Sequence, residues 1–322
     1  MSNAEPTTPD RWATSLTWVA RIVPAVALVV VGWCLVAEFP AIVHAHPAYP
    51  ILLALTAVAA ALAGWRAWRS PRTSVGWRRI LRIIALALSI VWIAALGWLC
   101  PLSAQEPALA AMASDSAVTV VETPTQIVLT PTATPSSLGV FFQPGAKVDA
   151  RAYAAVLRPL AEAGHVVVIT KQPLGIAFLA QDAFVNARRM FPLTAGWVVG
   201  GHSLGGTVAA EIADDHDQDE GARVVGLLLY ASYPARPMPR TLYARVLSIS
   251  ASNDGLATPA KIDATKGRFS EFAVYEVIQG GVHAFFGDYG PQSGDGVATI
   301  TRAEAQAQIV NDTLAWVATL PR

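Results

Sequence analysis

Residues 197–207 read Trp197-Val198-Val199-Gly200-Gly201-His202-Ser203-Leu204-Gly205-Gly206-Thr207. An apolar, strand-forming run leads into Gly-His-Ser-Leu-Gly, and a helical run, Thr207–Asp214, leads out of it. This is the G-x-S-x-G pattern, in which a serine is raised on a sharp turn between a strand and a helix. Such a turn is strained, and it closes only if the residues two before and two after the serine are tiny. Gly201 and Gly205 meet that need, so Ser203 is a candidate nucleophile.

On either side, strand-like and helix-like stretches alternate. Val118–Glu122, Gln126–Leu129, Gly139–Phe142, Val166–Thr170, Trp197–Gly200, Val224–Tyr230, Val246–Ser250 and Phe272–Ile278 read as strands. Asp149–Ala163, Ala180–Met190, Thr207–Asp214 and Arg302–Ala318 read as helices, the last opened by a Thr301/Glu304 capping box. This alternation predicts an α/β fold, a mostly parallel sheet with helices on both faces.

A serine nucleophile needs a base, and the chain has six histidines. His44 and His46 lie far upstream between apolar runs. His165 precedes its strand, whereas sites in such folds sit past the C-terminal strand ends. His202 adjoins Ser203 and points elsewhere, and His216 lies in an acidic stretch. His283 follows a strand within Gly280-Gly281-Val282-His283 and is the expected base. The chain order Ser…Asp…His then selects Asp254, just past the strand Val246–Ser250, over Asp263, Asp288 and Asp295. The oxyanion of a tetrahedral intermediate requires two N–H donors. Leu204, next after the serine, is one; Ala146 in Gln143-Pro144-Gly145-Ala146-Lys147 is the other, with Gly145 as second choice.

The amino-terminal third has a different composition. Residues 1–102 carry eight arginines against three acids, and eight of the ten tryptophans. Apolar runs at about 18–39, 48–65 and 83–102 are each long enough to cross a bilayer as a helix. Arg66, Arg69, Arg72, Arg78, Arg79 and Arg82 lie between the second and third, and no lysine or arginine lies between Glu38 and Ala48. The positive-inside rule therefore places the arginine loop and the N-terminus in the cytoplasm and everything after Leu102 outside. Cys34 and Cys100 are expected as buried thiols. Residues 103–113 read as a linker and 114–322 as the catalytic domain. Net charge is zero and the basic residues form no concentrated face, which argues against a nucleic-acid partner.

The stretches GVFFQPGAKVDARAY from Gly139, GHSLGG from Gly201, SNDGL from Ser252 and GGVHAFFGDYGPQSGDG from Gly280 together resemble the α/β-hydrolase superfamily. They are most similar to a bacterial membrane-anchored subgroup with a PGG-x-V-D motif. Where that subgroup has Pro-Gly-Gly, this chain has Pro144-Gly145-Ala146, and an alanine would be strained there if the backbone took positive φ. The resemblance implies an α/β-hydrolase fold over about 114–322 and a Ser203–Asp254–His283 triad. The resulting expectation is a serine esterase in the cell membrane, acting on a small-molecule ester without metal or organic cofactor. An acyltransferase on the same triad, or a non-catalytic membrane scaffold, are the alternatives.

Three further stretches carry expectations. Asp214–Glu220 reads as a solvated loop and not a calcium loop, since Gly falls at the seventh loop position and Gly226 at the twelfth. Gly287–Gly296 reads as a mobile rim after His283. Residues 231–245, with three prolines, read as a rigid loop where a substrate-covering cap is commonly inserted.

Overall fold

The computed structural model describes residues 11–69 and 76–321. Arg72 of the arginine loop lies outside the described residues. The chain divides into two compact units.

The first unit holds α1 (Arg11–Ala37), the start of the short α2 (Phe39–His44), α3 (Ala48–Arg69) and α4 (Trp77–Trp98). Thr14–Ala37, Ala48–Arg69 and Trp77–Trp98 are long and apolar enough to cross a membrane. α1 packs against both α3 and α4, burying Val23, Ala27, Ala60 and Ile93. The Arg21 guanidinium lies 5.2 Å from the Trp18 ring centroid and 4.5 Å from that of Trp68, an arrangement in which ring faces attract the cation. Cys34 and Cys100 are buried and free. The third apolar helix runs Trp77–Trp98, not 83–102 as expected. Arg78, Arg79 and Arg82 join it at the start, as long basic side chains can do by reaching out of an apolar environment. Pro101, which lacks a backbone N–H, follows its end.

The second unit contains strands β1 (Val118–Glu122), β2 (Gln126–Pro131), β3 (Leu138–Gln143), β4 (Val167–Thr170), β5 (Gly196–His202), β6 (Arg223–Tyr230), β7 (Arg245–Ala251) and β8 (Val274–Ile278). They form one sheet in the order β1-β2-β4-β3-β5-β6-β7-β8. The β1–β2 and β2–β4 pairs are antiparallel and the rest parallel. The helices are α5 (Ala154–Glu162), α6 (Ala183–Met190), α7 (Leu204–His216), α8 (Pro259–Thr265) and α9 (Arg302–Val317). Because side chains alternate along a strand, the central strands feed two cores. Val140, Phe142, Val198, Leu228 and Tyr230 pack with α5 and α9. Phe141, Trp197, Val199, Leu227 and Leu229 pack with α6 and α7 on the other side. Each large side chain buried this way contributes about 1.5–3 kcal/mol. The predicted mostly parallel sheet with helices on both faces, and the capping box at Thr301 and Glu304, are both present.

Residues 103–113 do not behave as a linker. Ala104 N–H donates to Asp149 Oδ2 at 3.4 Å, and Gln105 N–H donates to Asp288 O at 2.8 Å. Arg158 Nη1 holds Ala111 O and Ala113 O, each at 2.8 Å. The small polar composition suggested freedom, but the backbone groups of this stretch find partners in the domain and are fixed by them.

Candidate active site

β5 delivers Ser203 at φ 52°, ψ −125°, and α7 begins at the next residue. Positive φ in a residue with a side chain is costly and persists only when its surroundings impose it. Here Ser203 N–H donates to Tyr230 O at 3.0 Å, and the Ser232 hydroxyl donates to Ser203 O at 2.6 Å. The flanking glycines are required by contact. A Cβ on Gly205 would stand 2.2 Å from both Gln143 O and Pro144 O, and one on Gly201 would stand 2.4 Å from the Gly205 carbonyl carbon. The N–H of Leu204, first in α7, has no partner among the described residues, as expected of a helix start.

Past the end of β7, the Asp254 carboxylate is fully engaged. Its Oδ1 accepts from Leu256 N–H and Ala257 N–H, both at 2.7 Å, and its Oδ2 lies 2.8 Å from His283 Nδ1. The two side chains are 0% and 1% exposed. A carboxylate only accepts, so the shared proton sits on Nδ1 and Nε2 is left bare. Nε2 is buried with no hydrogen-bond partner, and the Ser203 hydroxyl is not bonded to it. The His283 ring lies against that of His202, the serine's neighbour, at 4.5 Å between centroids. Asp263, by contrast, is on α8 and pairs with Lys266. Asp288 is buried and accepts from Gln306 Nε2 at 3.0 Å, its carboxyl pushed up from the usual range by burial.

Sequence reasoning passed over Asp295 because it follows the histidine. Its Oδ1 accepts from Gly255 N–H at 3.2 Å and His283 N–H at 3.1 Å, and its Oδ2 from Ala284 N–H at 2.8 Å. One carboxylate thus staples the Asp254 loop to the His283 loop. The available signal was Gly294-Asp295-Gly296 facing Asp254-Gly255. A Cβ on Gly296 would sit 1.8 Å from Asn253 O, and one on Gly255 2.5 Å from Gly294 O, so these glycines permit a close approach of two loops. The expected mobile rim is instead a bonded one, with Asn253 Nδ2 donating to Val297 O at 2.9 Å.

The loop after β3 sorts its amides. Gly145 N–H donates to the Tyr153 hydroxyl at 2.9 Å and Lys147 N–H to Gly175 O at 2.8 Å. Ala146 N–H has no partner among the described residues. Gly145, the second choice as an oxyanion donor, is therefore already committed. The positive φ of this loop falls on Lys147, at 64°, so the alanine at 146 sits there without the strain that positive φ would bring.

The acidic stretch Asp214–Glu220, expected as a loop, begins within the last turn of α7 and is also bonded, not merely solvated. Asp217 accepts from Tyr243 N–H and Ala244 N–H, Asp214 pairs with Arg236, and Asp219 with Arg188 and His216. Among the described residues no cluster is suited to a metal ion. His165 faces Ser136 and Leu138 O at the opposite end of the sheet.

Residues 139–307 match the model of the alpha/beta hydrolase family, spanning β3 to α9 and every residue placed above in the elbow, the Asp254 loop and the His283 loop. The chain belongs to the alpha/beta hydrolase family. This hydrolase is similar in structure to a dienelactone hydrolase from Anabaena variabilis, with 15% identity over 64% of this chain and 99% of that one, at a TM-score of 0.47. It is also similar to an esterase from Thermogutta terrifontis, with 13% identity over 64% and 93% at a TM-score of 0.42. An alpha-beta serine hydrolase homologue from Coxiella burnetii gives 14% over 62% and 98% at 0.43. No curated protein sequence matches the hydrolase.

Proposed function

We propose that this protein is a membrane-anchored serine hydrolase acting on small acyl esters, its catalytic unit held outside the cytoplasm by α1, α3 and α4. Ser203 Oγ attacks the ester carbonyl while His283 Nε2 takes its proton. Asp254 holds the ring and stabilises the imidazolium, and the N–H groups of Leu204 and Ala146 bind the oxyanion. Collapse expels the alcohol, which leaves with the proton from His283. Water, activated by the same nitrogen, then releases the acid. The observation that carries this reading is the bare, buried Nε2 of His283, backed by Asp254 beside a strained serine and two unpartnered amides.

The sidedness follows from charge. Arg66 and Arg69 close α3, and Arg78, Arg79 and Arg82 open α4, whereas no lysine or arginine lies between Glu38 and Ala48. Three crossings then leave residue 101 onward opposite the arginines. A membrane-impermeant fluorophosphonate should label the wild-type protein in intact cells and leave Ser203→Ala unlabelled. A folded wild type that stays unlabelled in lysed cells ends the enzyme reading, and labelling only after lysis inverts the orientation.

Residues 231–244, between β6 and β7, hold no helix, so no cap covers the site from there. Without a cap from that segment to enclose an acyl chain, at about 0.8 kcal/mol per buried methylene, long chains gain little affinity. Across p-nitrophenyl esters, kcat/KM should be highest from acetyl to butyryl. A steady climb through the C12 ester would overturn the short-acyl assignment.

A further inference from the structure

His202 and Tyr153 are fully buried titratable side chains that the hydrolytic steps above do not use. The Tyr153 hydroxyl lies 2.8 Å from His202 Nδ1 and accepts from Gly145 N–H at 2.9 Å. A backbone amide can only donate, so the hydroxyl's own proton is free for one acceptor, and among the described residues the acceptor in reach is His202 Nδ1. With Nδ1 accepting, the single proton of a neutral His202 sits on Nε2, a buried atom with no hydrogen-bond partner among the described residues. Its ring is enclosed by Tyr153 at 5.8 Å, His283 at 4.5 Å, Phe286 at 5.9 Å and Tyr289 at 6.1 Å between centroids. Phe286 stacks on it at an interplanar angle of 15°.

We infer that Tyr153 and His202 are a positioning pair, which selects Ala146 as the presented amide of the oxyanion loop and holds a neutral ring behind His283. This rests on the serine-hydrolase reading above and assigns two residues outside the triad to it. The selection works by subtraction. Three consecutive N–H groups lie in the loop; Tyr153 withdraws Gly145's and Gly175 O withdraws Lys147's, which leaves Ala146's. The approach is so close that a Cβ on Gly145 would stand 2.7 Å from His202 Nδ1 and 3.1 Å from the Tyr153 hydroxyl. The neutrality of His202 matters because His283 becomes a cation in the transition state, and a second cation at this distance would oppose it. Burial, and then the nearness of His283, hold His202 well below the ordinary histidine range. The His283 backbone raises it only in part, and among the described residues no carboxylate is hydrogen-bonded to His202; Asp254 is bonded to His283 Nδ1 instead.

Tyr153→Phe keeps the ring and removes one oxygen. Gly145 N–H then loses its partner and is free to turn, and His202 loses the donor that fixes its tautomer. Kinetics are normalised to serines titrated by a fluorophosphonate, so that unfolded protein is not counted. Expected is a fall in kcat of about tenfold with KM within twofold, the pattern of an interaction made only in the transition state. His202→Asn, whose amide oxygen can stand near the position of Nδ1, should retain more kcat than His202→Leu. A Tyr153→Phe variant with wild-type kcat per titrated site, whatever its melting temperature, overturns the inference while the hydrolase reading stands. Equal losses in His202→Asn and His202→Leu also overturn it. A wild type that the probe cannot titrate overturns both.

Discussion

Asp254→Asn should lower kcat by about ten-thousand-fold and leave the melting temperature within a few degrees of wild type. The size follows from the way the carboxylate is held. Its Oδ1 accepts two backbone N–H groups, from Leu256 and Ala257, so an asparagine must keep its carbonyl oxygen there. The amide NH2 is then forced toward His283 Nδ1. Two donors cannot share that contact, and the ring moves its proton to Nε2, the nitrogen that has to be bare to accept from Ser203. The turn survives because both backbone bonds survive. Steady-state kinetics and thermal melts on the purified full-length protein measure the two quantities. A variant that keeps a tenth of the activity would remove Asp254 from its proposed role.

The largest effect on stability is expected at Gly205→Ala. The new Cβ would lie 2.2 Å from two carbonyl oxygens, those of Gln143 and Pro144, and neither belongs to a side chain that can swing away. Relief requires α7 to part from the end of β3, which dismantles the elbow. A loss above about 4 kcal/mol, or failure to accumulate as folded protein, is expected, placing this change among the exceptional substitutions. Gly267→Ala is the control: nothing lies within 4 Å of its added Cβ, and its φ is ordinary. It should fall within about 0.5 kcal/mol of wild type. Denaturation midpoints of the two variants in the same detergent decide the matter. Equal midpoints would mean that the backbone at Gly205 yields far more easily than its contacts imply.

The elements legible in the sequence were those governed by local rules. β5 and α7 were expected from an apolar run and a helical run meeting at a turn that only Gly201 and Gly205 allow. α9 was expected as a closing helix opened by the Thr301–Glu304 box, and both hydrogen bonds of that box are present. Three apolar helices were expected from length and composition alone, although the third starts earlier, because three arginines tolerable at a helix end hid its first turn and a half. Chain order pointed to Asp254 and His283, and the fold sets them 2.8 Å apart.

The sequence misled where a segment's fate depends on partners distant along the chain. Residues 103–113 have linker composition, yet their backbone is bonded to Asp149, Arg158 and Asp288. The acidic run 214–220 looks solvated, yet Asp217 is 4% exposed and caps the chain at Tyr243 and Ala244. Asp295 was set aside by chain order, though it bridges the Asp254 and His283 loops, 29 residues apart at those two side chains.

The sequence by itself determined the sheet-and-helix alternation, the serine elbow, the apolar helices and the order of the candidate acid and base, since each is written in residues a few positions apart. Tertiary structure alone decided which hydrogen-bonding groups remain free. Whether an amide such as Ala146 N–H faces outward, or an imidazole nitrogen such as His283 Nε2 stays bare, depends on what the neighbouring groups have already bonded. Those neighbours, Tyr153, Gly175 and Asp254, come from separate loops that only folding brings together, and hydrogen bonds reach no farther than about 3 Å.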